Sequence, residues 1–258
     1  MRRSELGAAL ALAGVLIGVT VAVVLLEGSA GPSSAEPQLP PSPPSALAPK
    51  NVPLGAEPLA FWAPVRESAS ARVSPTQPQV VADVPRRTPE GTTNIVLVLG
   101  HAKRVAGRLW VEVRFPGVPD DARGWVPRSV LGGYTPVRTR LVVDRERLTA
   151  TLTRGRRVVF RTRVAVGTPS TATPGGRFYV RNQLRRYRSP FYGPIALGTT
   201  ARSAGVSDWP AGGFVGIHGT NRPDLIPGRV SHGCIRMTNA DIVRLARLMP
   251  IGTLMTVR

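Results

Sequence analysis

The sequence predicts a mostly β protein with one packed helix, preceded by an apolar N-terminal segment and a proline-rich linker. Short runs of alternating apolar and polar residues recur after residue 58, and only one segment shows convincing helical spacing. The 258 residues include 27 Gly and 26 Pro, a composition that favours strands joined by turns. With 42% apolar residues, the chain can also form a packed core.

The N-terminal segment, residues 1–27, predicts a membrane anchor. The run from Leu6 to Leu26 contains 21 residues without a charge, long enough for a helix to cross a bilayer. Arg2 and Arg3 predict a cytoplasmic N terminus, with the rest of the chain outside the cell membrane. The tripeptide from Gly28 to Ala30 would also suit signal-peptide cleavage, so anchoring and secretion both stay open.

Residues 28–57 predict a linker. Proline fixes φ and has no N–H donor, so a segment rich in proline forms no regular ladder and acts as a semi-rigid spacer. The prolines that carry this prediction are Pro37, Pro40, Pro41, Pro43 and Pro44.

Residues 58–134 predict a small β module. Residues 95–99 form a continuous apolar run, and residues 108–115 alternate between apolar and polar side chains. A Pro116-Gly117 turn separates this strand from the segment Gly124-Trp125-Val126-Pro127. This pattern resembles the bacterial SH3-like domain, which implies a small β-barrel; an unclassified β module is the alternative.

Residues 137–258 predict a second domain, a mostly β sandwich or barrel with one helix. Thr238 followed by Asp241 resembles a capping box, and Ile242 and Leu245 continue at helical spacing. Runs that predict strands are Arg140–Asp144, Leu148–Thr153, Arg156–Val166, Phe178–Arg181, Ile195–Thr199 and Gly213–Ile217.

The charge of the chain is strongly positive. There are 34 Lys and Arg against 15 Asp and Glu, a formal net charge of +19. Such a balance favours anionic surroundings, either acidic lipid or a phosphate-bearing polymer. We expect no nucleic-acid partner, because the sequence shows no motif for nucleic-acid binding. An arginine bias of the genome would give the same composition.

The rarest reactive side chains cluster near the C terminus. Two of the three histidines, His218 and His232, lie close to Cys234, the only cysteine. A cysteine nucleophile needs an imidazole that takes up its proton, and both histidines are candidates. On an extended strand, His232 and Cys234 would share a face. Gly233 would leave its own N–H and that of Cys234 available for an oxyanion hole.

These residues also fit two other interpretations. A lone cysteine is often a buried structural residue, although one flanked by His and Gly in a polar loop is less so. His218, His232 and Cys234 could instead supply three zinc ligands, but the sequence offers no obvious fourth ligand. We therefore expect neither a metal nor another cofactor. His101 is interpreted as a solvated surface residue.

The clustered residues resemble a known catalytic motif. His218-Gly219-Thr220, followed by Ser231-His232-Gly233-Cys234, an apolar residue and Arg236, is similar to the motif of the L,D-transpeptidase family with the YkuD-type domain. The resemblance covers residues 139–258. It includes the segments Val164–Gly167, Thr173–Gly176 and Pro190–Gly198.

This resemblance implies a YkuD-like β-sandwich that acts on peptidoglycan stem peptides outside the cell. Cys234 would attack the carbonyl that precedes the terminal D-Ala of a tetrapeptide stem, and D-Ala would be released. His218 would be the general base, oriented by a backbone carbonyl near Gly219. Transfer of the acyl group to an amine of another stem would give a 3→3 cross-link.

The resemblance also implies roles for the remaining motif residues. Ser231, His232 and Gly233 would form or support the oxyanion hole, Arg236 would bind a substrate carboxylate, and Tyr192 would assist the oxyanion. A carbapenem should acylate the same cysteine. Anionic cell-wall polymers are expected partners of the basic surface.

Two other functions are alternatives for this sequence. A sortase-like cysteine transpeptidase also places His before Cys, but the Thr-x-x-Thr-Cys signature of that family is absent. A non-catalytic wall-binding protein would depend on the SH3-like module. The intact Ser231–Cys234 motif argues against this second function.

Overall fold

The computed structural model describes residues 60–117, 121–185, 190–203, 206 and 212–258. The predicted membrane anchor and proline-rich linker lie outside these residues. Within the described residues, no helix has the length and apolar character needed to cross a membrane.

Residues 60–137 form an N-terminal β module. Its described strands are β1 (Ala60–Pro64), β2 (Ala69–Ser74), β3 (Gln77–Val84), β4 (Ile95–Val105), β5 (Arg108–Arg114), β6 (Arg123–Pro127) and β7 (Thr135–Val137). They form one antiparallel sheet in the order β3-β2-β6-β5-β4-β1-β7. Strand β4 is longer than the apolar run predicted, because a bulge between Val98 and Ala102 lets it continue past Gly100.

The C-terminal domain is a ten-stranded sheet in the described part of the chain. Its strands are β8 (Thr139–Asp144), β9 (Thr149–Arg154), β10 (Arg157–Arg163), β11 (Ala165–Gly167), β12 (Gly176–Arg185), β13 (Ile195–Arg202), β14 (Phe214–His218), β15 (Gly228–Ser231), β16 (Ile235–Arg236) and β17 (Leu254–Val257). Their order is β10-β9-β8-β17-β12-β13-β14-β16-β11-β15. With helix α1 (Asn239–Leu248) as the one α-helix among the described residues, the prediction of a mostly β fold is confirmed.

Strand β12 joins the two halves of this sheet. Its first residues, Gly176–Tyr179, pair with β17, and residues from Val180 onward pair with β13. Leu141 and Leu152 from one half lie in the same buried cluster as Ile217 and Ile235 from the other. The two halves therefore pack face to face around a single core, as in a β-sandwich.

Helix α1 begins as its capping pattern predicts. Thr238 is the N-cap, and its hydroxyl accepts a hydrogen bond from the Asp241 N–H at 3.1 Å. Ile242 and Leu245 are fully buried on the face that packs against the sheet. The cap and this apolar face hold the helix at the end of the motif that contains Cys234.

A buried ion pair connects the β module to the C-terminal domain. Glu90, in the loop between β3 and β4, contacts Arg181 on β12, and their side chains are 0% and 1% exposed. Asn182 Nδ2 donates to the other oxygen of the Glu90 carboxylate at 3.0 Å. Burial lowers the pKa of Arg181, and the Glu90 carboxylate opposes that shift. Each charge therefore needs the other to remain in the interior.

Apolar contacts surround the same junction. Trp62 and Ile95 of the module share a buried cluster with Tyr179 of β12. The Tyr179 hydroxyl donates to the Ile95 carbonyl at 3.1 Å, and burial raises the pKa of this hydroxyl. A Cβ at Gly252 would lie 2.2 Å from the Trp62 ring, so the close approach there requires glycine.

We expect Glu90→Ala to lower the free energy of unfolding by about 3–5 kcal/mol, because it leaves Arg181 buried without a counter-charge. Urea denaturation followed by circular dichroism measures this. Asp224→Ala is the control, since Asp224 pairs with Arg222 in a bridge that is 58% and 60% exposed. Equal losses from both substitutions would contradict the importance of the buried pair.

Candidate active site

Cys234 lies beside the strand that ends at His218. Strand β16 pairs in parallel with β14, with His218 opposite Arg236. The same register places Cys234 next to Gly216, and the Gly216 N–H donates to the sulfur at 3.4 Å. Side chains two positions apart on a strand share a face, so His218 and Cys234 are diagonal neighbours. The pairing brings together the two residues that the motif separates by 16 positions.

His218 is held in one orientation. Its side chain is fully buried, and Nδ1 lies 2.6 Å from the carbonyl oxygen of Gly219. Because a carbonyl oxygen only accepts, Nδ1 carries the proton and donates it in this hydrogen bond. Nε2 of the neutral ring is then the nitrogen that can take a proton from a thiol. The contact with a backbone carbonyl near Gly219 is the one that the motif implied.

Aromatic rings surround the imidazole. The Tyr192 ring centroid lies 4.9 Å from that of His218 in an edge-on arrangement, and the Phe191 centroid lies 6.0 Å away. The Arg236 guanidinium lies 4.4 Å from the Phe191 ring centroid. Tyr192 therefore packs against the predicted base, whereas its role toward an oxyanion stays a prediction.

The turn before Cys234 is closed by Ser231. The buried Ser231 hydroxyl donates to the Cys234 carbonyl at 2.6 Å and accepts from the Gly233 N–H at 3.1 Å. The expectation that the Gly233 N–H is available for an oxyanion is therefore wrong, because the serine side chain already occupies it. Gly233 has φ +123°, and a Cβ there would lie 3.0 Å from Ser203 Oγ, so the turn requires glycine.

His232 does not share a face with Cys234. Strand β15 ends at Ser231, and the turn with its left-handed Gly233 separates it from β16. His232 is exposed and Cys234 is buried. The prediction based on an extended strand is wrong here because the backbone reverses its local direction at Gly233.

A threonine segment that we did not assign to the site supports this turn. Thr173 Oγ1 donates to the Gly233 carbonyl at 2.8 Å and accepts from the Gly167 N–H at 2.9 Å. Thr171 Oγ1 donates to the Ser231 carbonyl at 2.9 Å. The resemblance included Thr173, but the spacing of 60 residues between these partners gave no indication of the contact.

Asn239 was also missed. It is the first residue of α1, and its Oδ1 accepts from the Thr220 N–H at 2.9 Å. Added Cβ atoms at Gly193 and Gly219 would lie 2.3 and 2.2 Å from the same oxygen. Asn239 thus connects the helix with the segment after His218, and both glycines allow this close approach.

The remaining histidine lies in the β module. His101 contacts Glu112 there, and its side chain is 54% exposed. In the described part of the chain, no three His, Cys, Asp or Glu side chains are grouped closely enough to hold a metal ion.

We expect Thr173→Val to destabilise the protein by about 1–3 kcal/mol, since it leaves two buried backbone groups without their hydrogen bonds. It should also slow alkylation of Cys234 by iodoacetamide, because the turn that positions the sulfur loses its support. Thermal unfolding and intact-protein mass spectrometry measure the two effects. Thr149→Val, at a half-buried position of β9, is the control, and equal behaviour of both variants would contradict this role.

The C-terminal domain is similar to known L,D-transpeptidase sequences. Residues 138–257 match the family model for the YkuD L,D-transpeptidase catalytic domain. The curated L,D-transpeptidase YkuD of Bacillus subtilis is 39% identical over 109 residues, which cover 42% of this chain and 59% of that protein. The L,D-transpeptidase YqjB of the same organism is 34% identical over 101 residues, covering 35% and 54%. The chain thus spans about half the length of the curated relatives it matches.

Solved L,D-transpeptidase structures also match parts of this chain. One from Mycobacterium tuberculosis H37Rv is 16% identical, with 64% of this chain and 90% of that chain covered at a TM-score of 0.43. The Enterococcus faecium catalytic domain is 24% identical, with 46% and 96% covered at a TM-score of 0.35. By these sequence matches, residues 138–257 of this chain are similar to the YkuD L,D-transpeptidase catalytic domain.

Proposed function

We propose that the protein is a peptidoglycan L,D-transpeptidase with Cys234 as its nucleophile. The observation that carries this proposal is the β14–β16 pairing, which places the sulfur beside the Gly216 N–H and on the same face as His218. A backbone N–H that donates to sulfur stabilises the charge of a thiolate. The family of the domain supplies the reaction class.

The first step is acylation of the cysteine. His218 Nε2 takes the proton of Cys234, and the thiolate attacks the carbonyl between the third stem residue and the terminal D-Ala. The tetrahedral oxyanion collapses, the peptide bond breaks, and His218 returns the proton to the leaving amine of D-Ala. Because Gly219 fixes Nδ1 as a donor, Nε2 is the nitrogen used in both transfers.

The oxyanion needs donors other than the Gly233 N–H. That group donates to Ser231 Oγ, so we assign the oxyanion to the backbone N–H of Cys234 and to the Tyr192 hydroxyl. Tyr192 lies against His218, close to the reacting atoms. Ser231 then supports the hole by fixing the turn, and it need not contact the substrate.

The second step transfers the acyl group. A thioester retains much of the energy of the cleaved peptide bond, so an amine can attack it without a nucleotide cofactor. Attack by the side-chain amine of another stem forms the 3→3 cross-link and frees the thiolate. His218 removes the proton of the attacking amine, in reverse of its role in acylation.

We assign substrate binding to two cationic or basic side chains. Arg236 is buried beside Phe191, and we assign it to a carboxylate of the stem peptide. His232 is exposed next to the turn and would contact the stem from the solvent side. We further propose that the β module is an SH3-like domain. We also propose that residues 1–27 anchor the chain in the membrane and that the catalytic domain lies outside the cytoplasm.

We expect Cys234→Ala to abolish release of D-Ala and formation of cross-linked muropeptides, because alanine offers no nucleophile. Mass spectrometry of muropeptides incubated with purified protein measures both products. Circular dichroism shows whether the variant keeps its fold. Turnover near the wild-type level would remove Cys234 from the mechanism.

His218→Gln should slow acylation by about 10²–10⁴-fold, the range typical for loss of a general base. His101→Gln is the matched control, because His101 lies on the surface of the other domain. Stopped-flow measurement of D-Ala release compares the two. Equal, small effects from both substitutions would show that His218 carries no proton in the reaction.

A further inference from the structure

One outer face of the C-terminal domain is strongly basic. Side chains on β8, β9, β10, β17 and the start of β12 alternate between the core and this face, because their neighbours Leu141, Val143 and Leu152 point inward. We define the basic sheet face by Arg147, in the turn after β8, and by the outward arginines and threonines of these strands, which are Arg140, Arg161, Arg163, Arg177, Arg258, Thr149, Thr151, Thr153 and Thr256.

The strand register arranges these residues in rows. One row crosses the sheet from Arg177 through Thr256, Val142 and Thr151 to Arg161. With strands about 4.8 Å apart, the two arginines of this row are separated by roughly 19 Å. The face thus presents separated positive charges with hydroxyl groups between them, a pattern suited to an extended chain of anions.

A shallow groove of about 190 Å³ lies within the face. Arg147, Arg161 and Arg258 line it, together with Thr149, Thr151, Val142 and Asp144. Asp144 is its one acidic lining residue, and Arg258 Nε lies 3.3 Å from that carboxylate. The pKa of Asp144 is lowered, first by the hydrogen bond from the Arg147 N–H and further by the charge of Arg258. The carboxylate is therefore ionised and balanced by Arg258.

The other arginines have no such balance. Among the described residues, no carboxylate lies within 4.0 Å of the guanidinium groups of Arg147, Arg161, Arg163 or Arg177. Arg161 Nε donates to Thr151 Oγ1 at 3.3 Å, which fixes its orientation on the sheet. Glu146, in the turn after β8, is the one further acidic residue nearby in sequence. The face keeps a large positive charge.

We propose that the basic sheet face binds a linear, phosphate-bearing polymer of the cell wall. Guanidinium groups pair with phosphate oxygens, and threonine hydroxyls donate to them. A bilayer is a weaker fit, because surface-bound proteins insert aromatic or large apolar side chains. On this face, Tyr179 and Leu254 are covered by the β module, and the exposed apolar side chain is Val158, 57% exposed at the β10 edge. The choice of a wall polymer as the ligand rests on the proposed extracytoplasmic function. The charge pattern of the face is independent of that proposed function.

The test measures binding of the full-length chain to an immobilised glycerol-phosphate polymer. The variant with Arg147, Arg161 and Arg163 changed to Gln should bind at least about tenfold more weakly, with a smaller dependence on salt. The control variant changes Arg104, Arg108 and Arg247 to Gln, three exposed residues elsewhere that remove the same charge. It should bind nearly as well as the wild type. Circular dichroism checks both folds.

Two outcomes would overturn the proposal. Equal weakening by both variants would show that net charge alone drives binding. Binding to vesicles of anionic phospholipid, without binding to the polymer, would assign the face to the membrane. The same measurement with Cys234→Ala separates this inference from the proposed function, because binding should persist when catalysis is lost.

Discussion

The parallel pairing of β14 with β16 is the constraint on which the site depends. It aligns His218 with Arg236 and brings Cys234 beside Gly216, so the thiol, the imidazole and a cation meet across two strands. Neither strand could supply this arrangement alone. The short β16 holds its place because buried Ile235 and Met237 fix it in the core of the sandwich.

The rest of the domain supports this pairing from several sides. Thr173 and Ser231 hold the turn that precedes Cys234, and Asn239 ties the segment after His218 to helix α1. On the far side of the sheet, the Asn182 amide oxygen accepts from the Gly198 N–H, and its nitrogen donates to Glu90 of the β module. Gly198 pairs with Gly216, so the β module is joined to the strand beside the thiol through consecutive contacts.

Local sequence patterns predicted the secondary-structure elements. The side-chain contacts between residues distant in sequence could not be predicted in this way. The helix N-cap at Thr238 and the strand that contains Trp110 depend on residues close in sequence, so both were evident from the sequence. The position of Glu90 was not evident, because nothing in its loop indicates a buried arginine 91 residues later. The prediction that His232 shares a face with Cys234 was wrong for a local reason. Gly233, with its left-handed backbone, interrupts the extended strand on which the prediction depended.

Our central proposal is that Cys234, although largely buried, is the nucleophile of this site. Intact-protein mass spectrometry after incubation with a carbapenem tests it most directly, because the strained lactam carbonyl acylates a thiolate without needing an acceptor. We predict a mass increase of one drug molecule, or of a fragment that stays attached, on the wild-type protein and no increase on Cys234→Ala. A folded wild-type protein that stays unmodified, or an adduct that persists in Cys234→Ala, would contradict it.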